Sequence, residues 1–169
     1  LPKEISIAIN ATARKAKVEM SREVRKELAA PAKVVKRTLS TKSKATASKL
    51  GSTVSLKRSN RIPLRDFKAN QTRAGVSYKI SKTGGRKTAL GAFQGPKPGA
   101  RLARWQGHVF ARSSKSRLPI HKLYGASPWG VFVKRNMEKP VSKAVEKELA
   151  KQITRRIKFN VFKASQLTS

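Results

Sequence analysis

The distribution of charge constrains this chain more than any other feature of its sequence. The 169 residues include 40 Lys and Arg but only 8 Asp and Glu, which gives a formal net charge of +32. Seven of the eight acids lie near the two ends, and Asp66 is the only acid between Leu28 and Met137, among 25 Lys and Arg. Because like charges repel at this density, the middle of the chain opposes compaction and favours polyanionic partners.

Apolar residues make up only 38% of the sequence, so a modest core is expected. Both tryptophans, both histidines and two of the six phenylalanines fall in residues 104–137, and this stretch is predicted to supply most of that core. Residues 107–112 and 118–123 are predicted to be strands. Ser127 and Pro128 predict the start of a helix, as its N-cap and its first helical residue.

Two amphipathic helices are predicted, one near each end of the chain. Residues 3–29 show apolar positions every three or four residues, and Pro31 predicts a stop just beyond Ala30. The second helix covers about 140–158, with Pro140 breaking or kinking it from the helix that begins at Pro128. Residues 159–169 are expected to be a tail. The apolar stripes are Ile5, Ile9, Ala13, Ala16, Met20, Val24 and Leu28, and Val141, Val145, Leu149, Ile153 and Ile157.

Between these helices the patterns are short and mostly alternating. Residues 31–39 predict a short helix, and 40–52, rich in Ser, Thr, Lys and Ala, predict a mobile basic linker. Strands are predicted at 52–57, 61–67 and 74–81, with Pro63 confining the second to a sheet edge. Residues 83–87 predict a hairpin turn with a basic tip.

The predicted order is helix, strands, helix, which indicates an α+β fold. We expect a mostly antiparallel sheet with an N-terminal and a C-terminal helix packed on it, plus basic loops or arms. Residues 1–158 are predicted to form a single domain.

Three glutamates, Glu19, Glu23 and Glu27, form an acidic stripe on the first helix. Lys and Arg lie three or four positions away, so the stripe can be a solvated face paired within its own helix. The alternative is a subunit interface, in which the stripe docks on the cationic middle of a neighbouring subunit.

The inventory of reactive side chains argues against an enzyme. There is no cysteine, and His108 and His121 lack a conventional third metal ligand. Glu146 and Glu148 would lie on different helix faces, and the sequence around Gly84 lacks the spacing of a nucleotide-binding P-loop. No catalytic residue, metal or cofactor is therefore predicted, and the histidines are expected to make hydrogen bonds at a core edge or a turn.

Neither a membrane nor a secretory route is indicated. No apolar run approaches the ~18 residues of a membrane-spanning segment, and the first ten residues lack the apolar segment of a signal peptide. A soluble protein of a reducing compartment is expected.

Uncompensated cations in the central region predict binding to nucleic acid backbones without base specificity. A plain solvated turn is an equal alternative for the tip at 83–87, and the aromatic residues are interpreted as core rather than as base-stacking platforms. The candidate contacts are Lys79, Lys82, Arg86, Lys87, Arg101, Arg104, Arg112, Lys115 and Arg117.

Several short motifs resemble those of one known family. They are Arg61-Ile62-Pro63-Leu64, Gly91-Ala92-Phe93, Gly107-His108-Val109-Phe110, Leu118-Pro119-Ile120, Ser127-Pro128-Trp129 and Val131-Phe132, with the basic helix after Glu138. With these motifs the chain resembles the minor tail protein Z family of lambda-like bacteriophages, a tail completion protein, from the first helix to about residue 157. The resemblance departs at the N-terminus, where the sequence begins inside the first helix and a few residues are expected to be missing.

The resemblance implies a non-enzymatic virion protein at the head-proximal end of the tail, assembled in the host cytoplasm. It implies a homo-oligomeric ring, expected to be a hexamer, beside the tail terminator, the tail tube and the head-tail connector. The end of the phage genomic DNA would be a further partner, contacted without sequence specificity. The family offers no catalytic residue to transfer.

A basic RNA-binding protein of the ribosomal type is the alternative, because its composition would look much the same. No recognisable RNA-binding motif supports it. A nuclease would need a cluster of carboxylates for its metal, and the central region has only Asp66.

Overall fold

A computed structural model describes residues 2–96 and 107–167 of the chain. Helix α1 covers Pro2–Glu27, and α2 covers Ala32–Thr38 after an extended Pro31. Two further helices follow the strands: α3 covers Pro128–Lys134 and α4 covers Glu138–Leu167. Within the described ranges, no helix is both long enough and apolar enough to cross a membrane.

The strands form three small antiparallel sheets. In the first, β1 (Leu39–Ser43) pairs with β2 (Thr53–Leu56). The second has the order β3 (Asn70–Thr72), β4 (Gly75–Tyr78) and β5 (Lys87–Leu90). The third has the order β6 (Phe93–Gln94), β7 (Val109–Arg112) and β8 (Ile120–Lys122). The α+β class and the antiparallel pairing are confirmed, but the strands form three small sheets instead of one.

The two long helices pack mainly against each other. Small residues on the buried face of α1, including Ala8, Thr12 and Ala16, leave room for close approach. The Thr12 hydroxyl donates to the Ala8 carbonyl at 3.0 Å, which satisfies its polar group inside its own helix. Toward the helix ends an apolar groove of ≈ 340 Å³ opens between Ile5 and Ile157.

The core lies where the C-terminal end of α1 meets the second and third sheets. Its largest fully buried side chain is Phe67, which is 0% exposed. The expectation that 104–137 supplies most of the core is wrong, because only two of its described residues, Val109 and Met137, are among the buried members of this cluster. The other buried members are Val24, Leu28, Ala30, Val35, Ile62, Leu64, Val76 and Ala92.

Residues 61–67 do not form the predicted strand. Leu64–Asp66 is a turn of 3-10 helix, preceded by a single bridge between Pro63 and Tyr124. The Leu64 amide donates to the Leu123 carbonyl at 3.0 Å, but proline has no amide hydrogen with which to continue a ladder. The turn places both Leu64 and Phe67 in the core.

The predicted linker at 40–52 begins as structure, since residues 40–43 belong to β1. Ala45 beyond it is buried and is bonded to the side chain of Asn10 on α1. The hydrogen bonds that hold this segment come from a residue 35 positions away. The local Ser- and Lys-rich sequence therefore could not predict that the segment is ordered.

The C-terminal boundary also differs from the prediction, because α4 continues through residues 159–167, which were expected to be a tail. No Pro or Gly interrupts this stretch, so the helix has no local reason to end. Its large side chains there are solvated: Phe159 is 55% exposed and Phe162 is 63% exposed. Pro140 lies in the first turn of α4, where a missing amide hydrogen is tolerated, and α3 and α4 are separate helices.

Candidate nucleic-acid interface

The segment between β4 and β5, residues 79–86, carries three of the seven predicted contacts to a nucleic acid backbone that lie among the described residues. It is anchored on both sides: the Lys79 amide donates to the Phe67 carbonyl at 2.9 Å, and the Lys82 amide donates to the Glu27 carbonyl at 2.8 Å. The Ala29 amide donates to the Ile80 carbonyl at 2.8 Å, beside a bridge between Leu28 and Ser81. The basic segment is therefore fixed to the chain that leaves α1.

Four cations converge beside this segment in an open pocket of ≈ 510 Å³, which we call the hairpin pocket. Lys79 and Lys82 were predicted contacts; Arg25 from α1 and Lys68 from the turn after the 3-10 helix complete the set. The Arg25 Nε is buried and has no hydrogen-bond partner among the described residues. Asp66 is the one acid that lines the pocket. The arrangement is suited to an anionic group that approaches from solvent.

Sequence reasoning missed Arg25 and Lys68 for different reasons. Arg25 stands in a helix of mixed charge, where it looked like one more member of a solvated face. Lys68 has a positive φ of 53°, a conformation that follows from the turn replacing the predicted strand. The two residues are 43 positions apart in the sequence, and no local pattern predicts that they lie close together.

Arg86 has a structural use that competes with the predicted one. Its Nε donates to the Ser77 hydroxyl at 2.8 Å, and its Nη2 donates to the carbonyls of Lys68 and Ser77 at 2.9 and 3.1 Å. The guanidinium therefore ties the β4–β5 connection to the turn after the 3-10 helix. Lys87, at the start of β5 and opposite Tyr78, is exposed and available to solvent.

The remaining predicted contacts form a second group on the third sheet. Arg112 ends β7, and its Cζ lies 5.2 Å from the ring centroid of Phe93. Lys115 and Arg117 are exposed in the connection from β7 to β8. Arg101 and Arg104 lie outside the described residues, so the structure tests neither.

The acidic stripe is paired inside the chain. Glu19 lies 3.9 Å from Lys15 and 3.4 Å from Arg22. Glu23 lies 2.7 Å from the Lys26 ammonium, and Glu27 lies 3.2 Å from an Arg135 guanidinium nitrogen. These contacts favour the self-paired helix face, and the role of the stripe at a subunit interface stays a prediction.

Among the titratable groups of residues 2–96 and 107–167, His108 has the most strongly perturbed pKa. It is 9% exposed, and its Nε2 lies 3.0 Å from the Lys122 Nζ. Burial lowers the pKa of His108 to about 4, with further lowering by Arg65 and Lys122. Burial followed by Arg65 also lowers the pKa of Lys122, which Asp66 partly opposes. The predicted use of His108 in a core-edge hydrogen bond agrees with this contact.

His121 is exposed on β8, away from this arrangement. In the ranges that the structure describes, no three His, Cys, Asp or Glu residues are grouped closely enough to hold a metal ion.

Comparison with known proteins adds no relative: no protein family, no curated protein and no solved structure matches the chain.

Proposed function

We propose that the protein is a non-enzymatic structural component of a long-tailed bacteriophage virion, a tail completion or neck protein that contacts genomic DNA without sequence specificity. The hairpin pocket is the observation that carries the DNA contact. Arg25, Lys68, Lys79 and Lys82 line it against a single acid, and backbone hydrogen bonds fix the segment that carries the two predicted lysines. A phosphate held there would neutralise part of this charge and release counterions.

The motifs that resemble the tail completion family support the virion part of the proposal. Ile62 is 0% exposed, and Ala92 and Val109 belong to the same core cluster. Ser127 and Pro128 begin α3 as expected, although the Ser127 hydroxyl donates to the Arg58 carbonyl at 3.1 Å instead of capping the helix. Three of these motifs thus contribute a residue to the core, namely Ile62, Ala92 and Val109.

Self-assembly into a ring is part of the proposal, with the tail terminator, the tail tube and the head-tail connector as further partners. Each subunit carries +32, so the DNA and the acids of neighbouring subunits would have to offset the repulsion between copies. Exposed apolar side chains on the last turns of α4, including Phe159, Val161 and Phe162, offer surface for such contacts.

Electron microscopy of the purified protein tests the assembly directly. We expect rings in negative stain, or density at the head-proximal end when the protein is added to tails that lack it. Co-sedimentation with ribosomes, without rings or tail binding, would instead support the basic RNA-binding alternative.

A charge-reversal triple tests whether the acidic stripe joins subunits. We expect Glu19→Lys, Glu23→Lys, Glu27→Lys to lose rings and to fail to rescue tail-defective phage. The matched control is Glu138→Lys, Glu146→Lys, Glu148→Lys, which changes the charge equally on α4. If the first triple assembles and completes infectious particles, the stripe is only a self-paired helix face.

A further inference from the structure

A second cationic pocket adjoins the hairpin pocket at Asp66, which lines both, and lies between α2, the turn around Pro63 and the third sheet. It has a volume of ≈ 430 Å³, and we call it the histidine pocket. Four cations and one acid line it together with His108, namely Arg37, Arg61, Arg65 and Lys122 against Asp66. The Arg65 Nε lies 3.6 Å from an Asp66 oxygen, so one carboxylate faces four positive groups.

One ring nitrogen of His108, Nδ1, has no hydrogen-bond partner among the described residues. A lysine ammonium can only donate, so the 3.0 Å contact from Lys122 Nζ makes His108 Nε2 the acceptor. The proton of the neutral ring is then on Nδ1. This atom is buried and has no hydrogen-bond partner within the described part of the chain. Buried donors are rarely left unpaired, so the polar surroundings of this ring are incomplete without a bound water or ion.

The electrostatics point the same way. The lowered pKa of His108 and the lowered pKa of Lys122 have burial as their first cause, and Arg65 is the next cause for both. Arg37 and Arg61 add positive charge to the pocket lining, and Asp66 alone opposes it. An anion would offset the repulsion between these groups.

We propose that the histidine pocket binds one phosphate group beside His108, with Arg37, Arg61, Arg65 and Lys122 of its lining neutralising the charge. Phosphate fits better than carboxylate, because it offers more oxygens and a second negative charge to a lining of three guanidinium groups and one ammonium. The volume leaves room for a substituent on the phosphate, as in a phosphate ester. This site shares Asp66 with the hairpin pocket but has its own four cations, and it does not depend on the proposed virion function.

The first experiment uses the unaltered full chain and inorganic phosphate, with ionic strength held constant by chloride. We expect saturable binding by calorimetry, together with a rise in the pKa of His108 followed by NMR of its ring protons. The bound anion would raise this pKa by offsetting the positive charges of Arg65 and Lys122. A pKa of His108 that phosphate leaves unchanged, or binding that never saturates, would overturn the proposal.

Two further ligands distinguish a nucleic acid backbone from a free phosphate as the natural ligand of the pocket. A thymidine dinucleotide joined by one phosphodiester represents a nucleic acid backbone, and thymidine alone is its control. Tighter binding of the dinucleotide than of inorganic phosphate assigns the site to nucleic acid, and the reverse order assigns it to free phosphate or a small phosphate ester. Equal binding of thymidine and the dinucleotide would contradict a phosphate site.

Matched variants locate the site. We expect Lys122→Gln and Arg65→Gln each to weaken phosphate binding at least about tenfold. Lys143→Gln and Arg155→Gln remove the same charges from exposed positions on α4 and should change it less than about twofold. Equal weakening by all four would mean that only net charge matters and would refute the site. Circular dichroism identifies any variant that fails to fold, and the NMR titration of the unaltered chain then decides.

Discussion

The side chain of Asn10 grips the backbone of Ala45 with both of its polar atoms. Its Nδ2 donates to the Ala45 carbonyl at 2.8 Å, and its Oδ1 accepts from the Ala45 amide at 2.9 Å. Because Ala45 is buried at 6% exposure, water cannot easily replace either bond. This pair joins the segment after β1 to the middle of α1.

Loss of these two hydrogen bonds should increase local unfolding near residue 45 more than unfolding of the rest of the protein. We expect Asn10→Ala to lower the free energy of unfolding by about 1–3 kcal/mol, because two buried backbone groups lose their partners. Hydrogen exchange is the sharper measurement, since the Ala45 amide should exchange much faster. The Leu123 amide, bonded to the Val109 carbonyl at 2.8 Å, is the internal control and should change little. Unchanged exchange at Ala45 would show that the grip is not needed.

Gly125 is packed against the face of a buried ring. A Cβ at this position would overlap the side chain of Phe67, which is fully buried. We expect Gly125→Ala to destabilise the fold by about 1–3 kcal/mol through overpacking. Gly130→Ala is the matched control, because a Cβ there meets nothing within 4 Å and alanine favours the α3 helix by about 0.5–1 kcal/mol. Urea denaturation should move the two midpoints in opposite directions.

The apolar stripe of α4 should differ in importance along its length. Leu149 is half-buried, whereas Ile157 is 52% exposed. We expect Leu149→Asp to cost several kcal/mol, since it places a charge at a half-buried position of α4, and to abolish folding or assembly. Ile157→Asp makes the same chemical change nearer solvent and should cost much less. Thermal unfolding of both variants measures the difference, and a stable, assembled Leu149→Asp protein would contradict the assigned packing.

Binding to DNA should depend steeply on salt. Each phosphate neutralised contributes about 0.9 to the slope of log affinity against log salt concentration. We expect Lys68→Gln, Lys79→Gln, Lys82→Gln together to flatten this slope, because these side chains line the hairpin pocket. Lys143→Gln, Lys147→Gln, Lys151→Gln on α4 removes the same charge elsewhere and should preserve it. Fluorescence anisotropy with a random-sequence duplex measures the slopes, and a loss common to both triples would mean that no particular surface is used.

His108 should make the fold less stable in acid. Above pH 6.5 the ring is neutral in both the folded and the unfolded chain. Between pH 6.5 and about pH 4, His108 is protonated in the unfolded chain but stays neutral in the folded chain. Because the unfolded state then binds more protons, the free energy of unfolding falls as the pH falls. His108→Gln should remove this part of the pH dependence, while the exposed His121→Gln should retain it. Identical urea midpoints against pH for the two variants would disprove the assignment.

Local patterns predicted the helices well because helix periodicity is a property of neighbouring residues. The stripe ending at Val24 and Leu28 identified α1, and Ser127-Pro128 located the start of α3. Alternation was less reliable: the apolar positions at Ile62, Leu64 and Phe67 are consistent with a strand, but they are buried here through a turn.

The candidate site could be predicted only in part. The run of uncompensated cations indicated its charge and named Lys79 and Lys82, because net charge can be read from composition. Its assembly with Arg25 and Lys68 depends on the pairing of residues 27–29 with 80–82. Such pairing is decided by tertiary packing, for which a single sequence carries no local signal.

That pairing also makes α1 a lever. At 1.5 Å per residue its 26 residues span about 39 Å, so a tilt of roughly 5° about one end moves the other by about 3 Å. One end is bonded to the segment that bears Lys82, and the other lies along α4 beside the apolar groove. A displacement of the segment at the hairpin pocket would therefore either break the hydrogen bonds at Glu27 and Ala29 or tilt α1 and move its N-terminal end along α4.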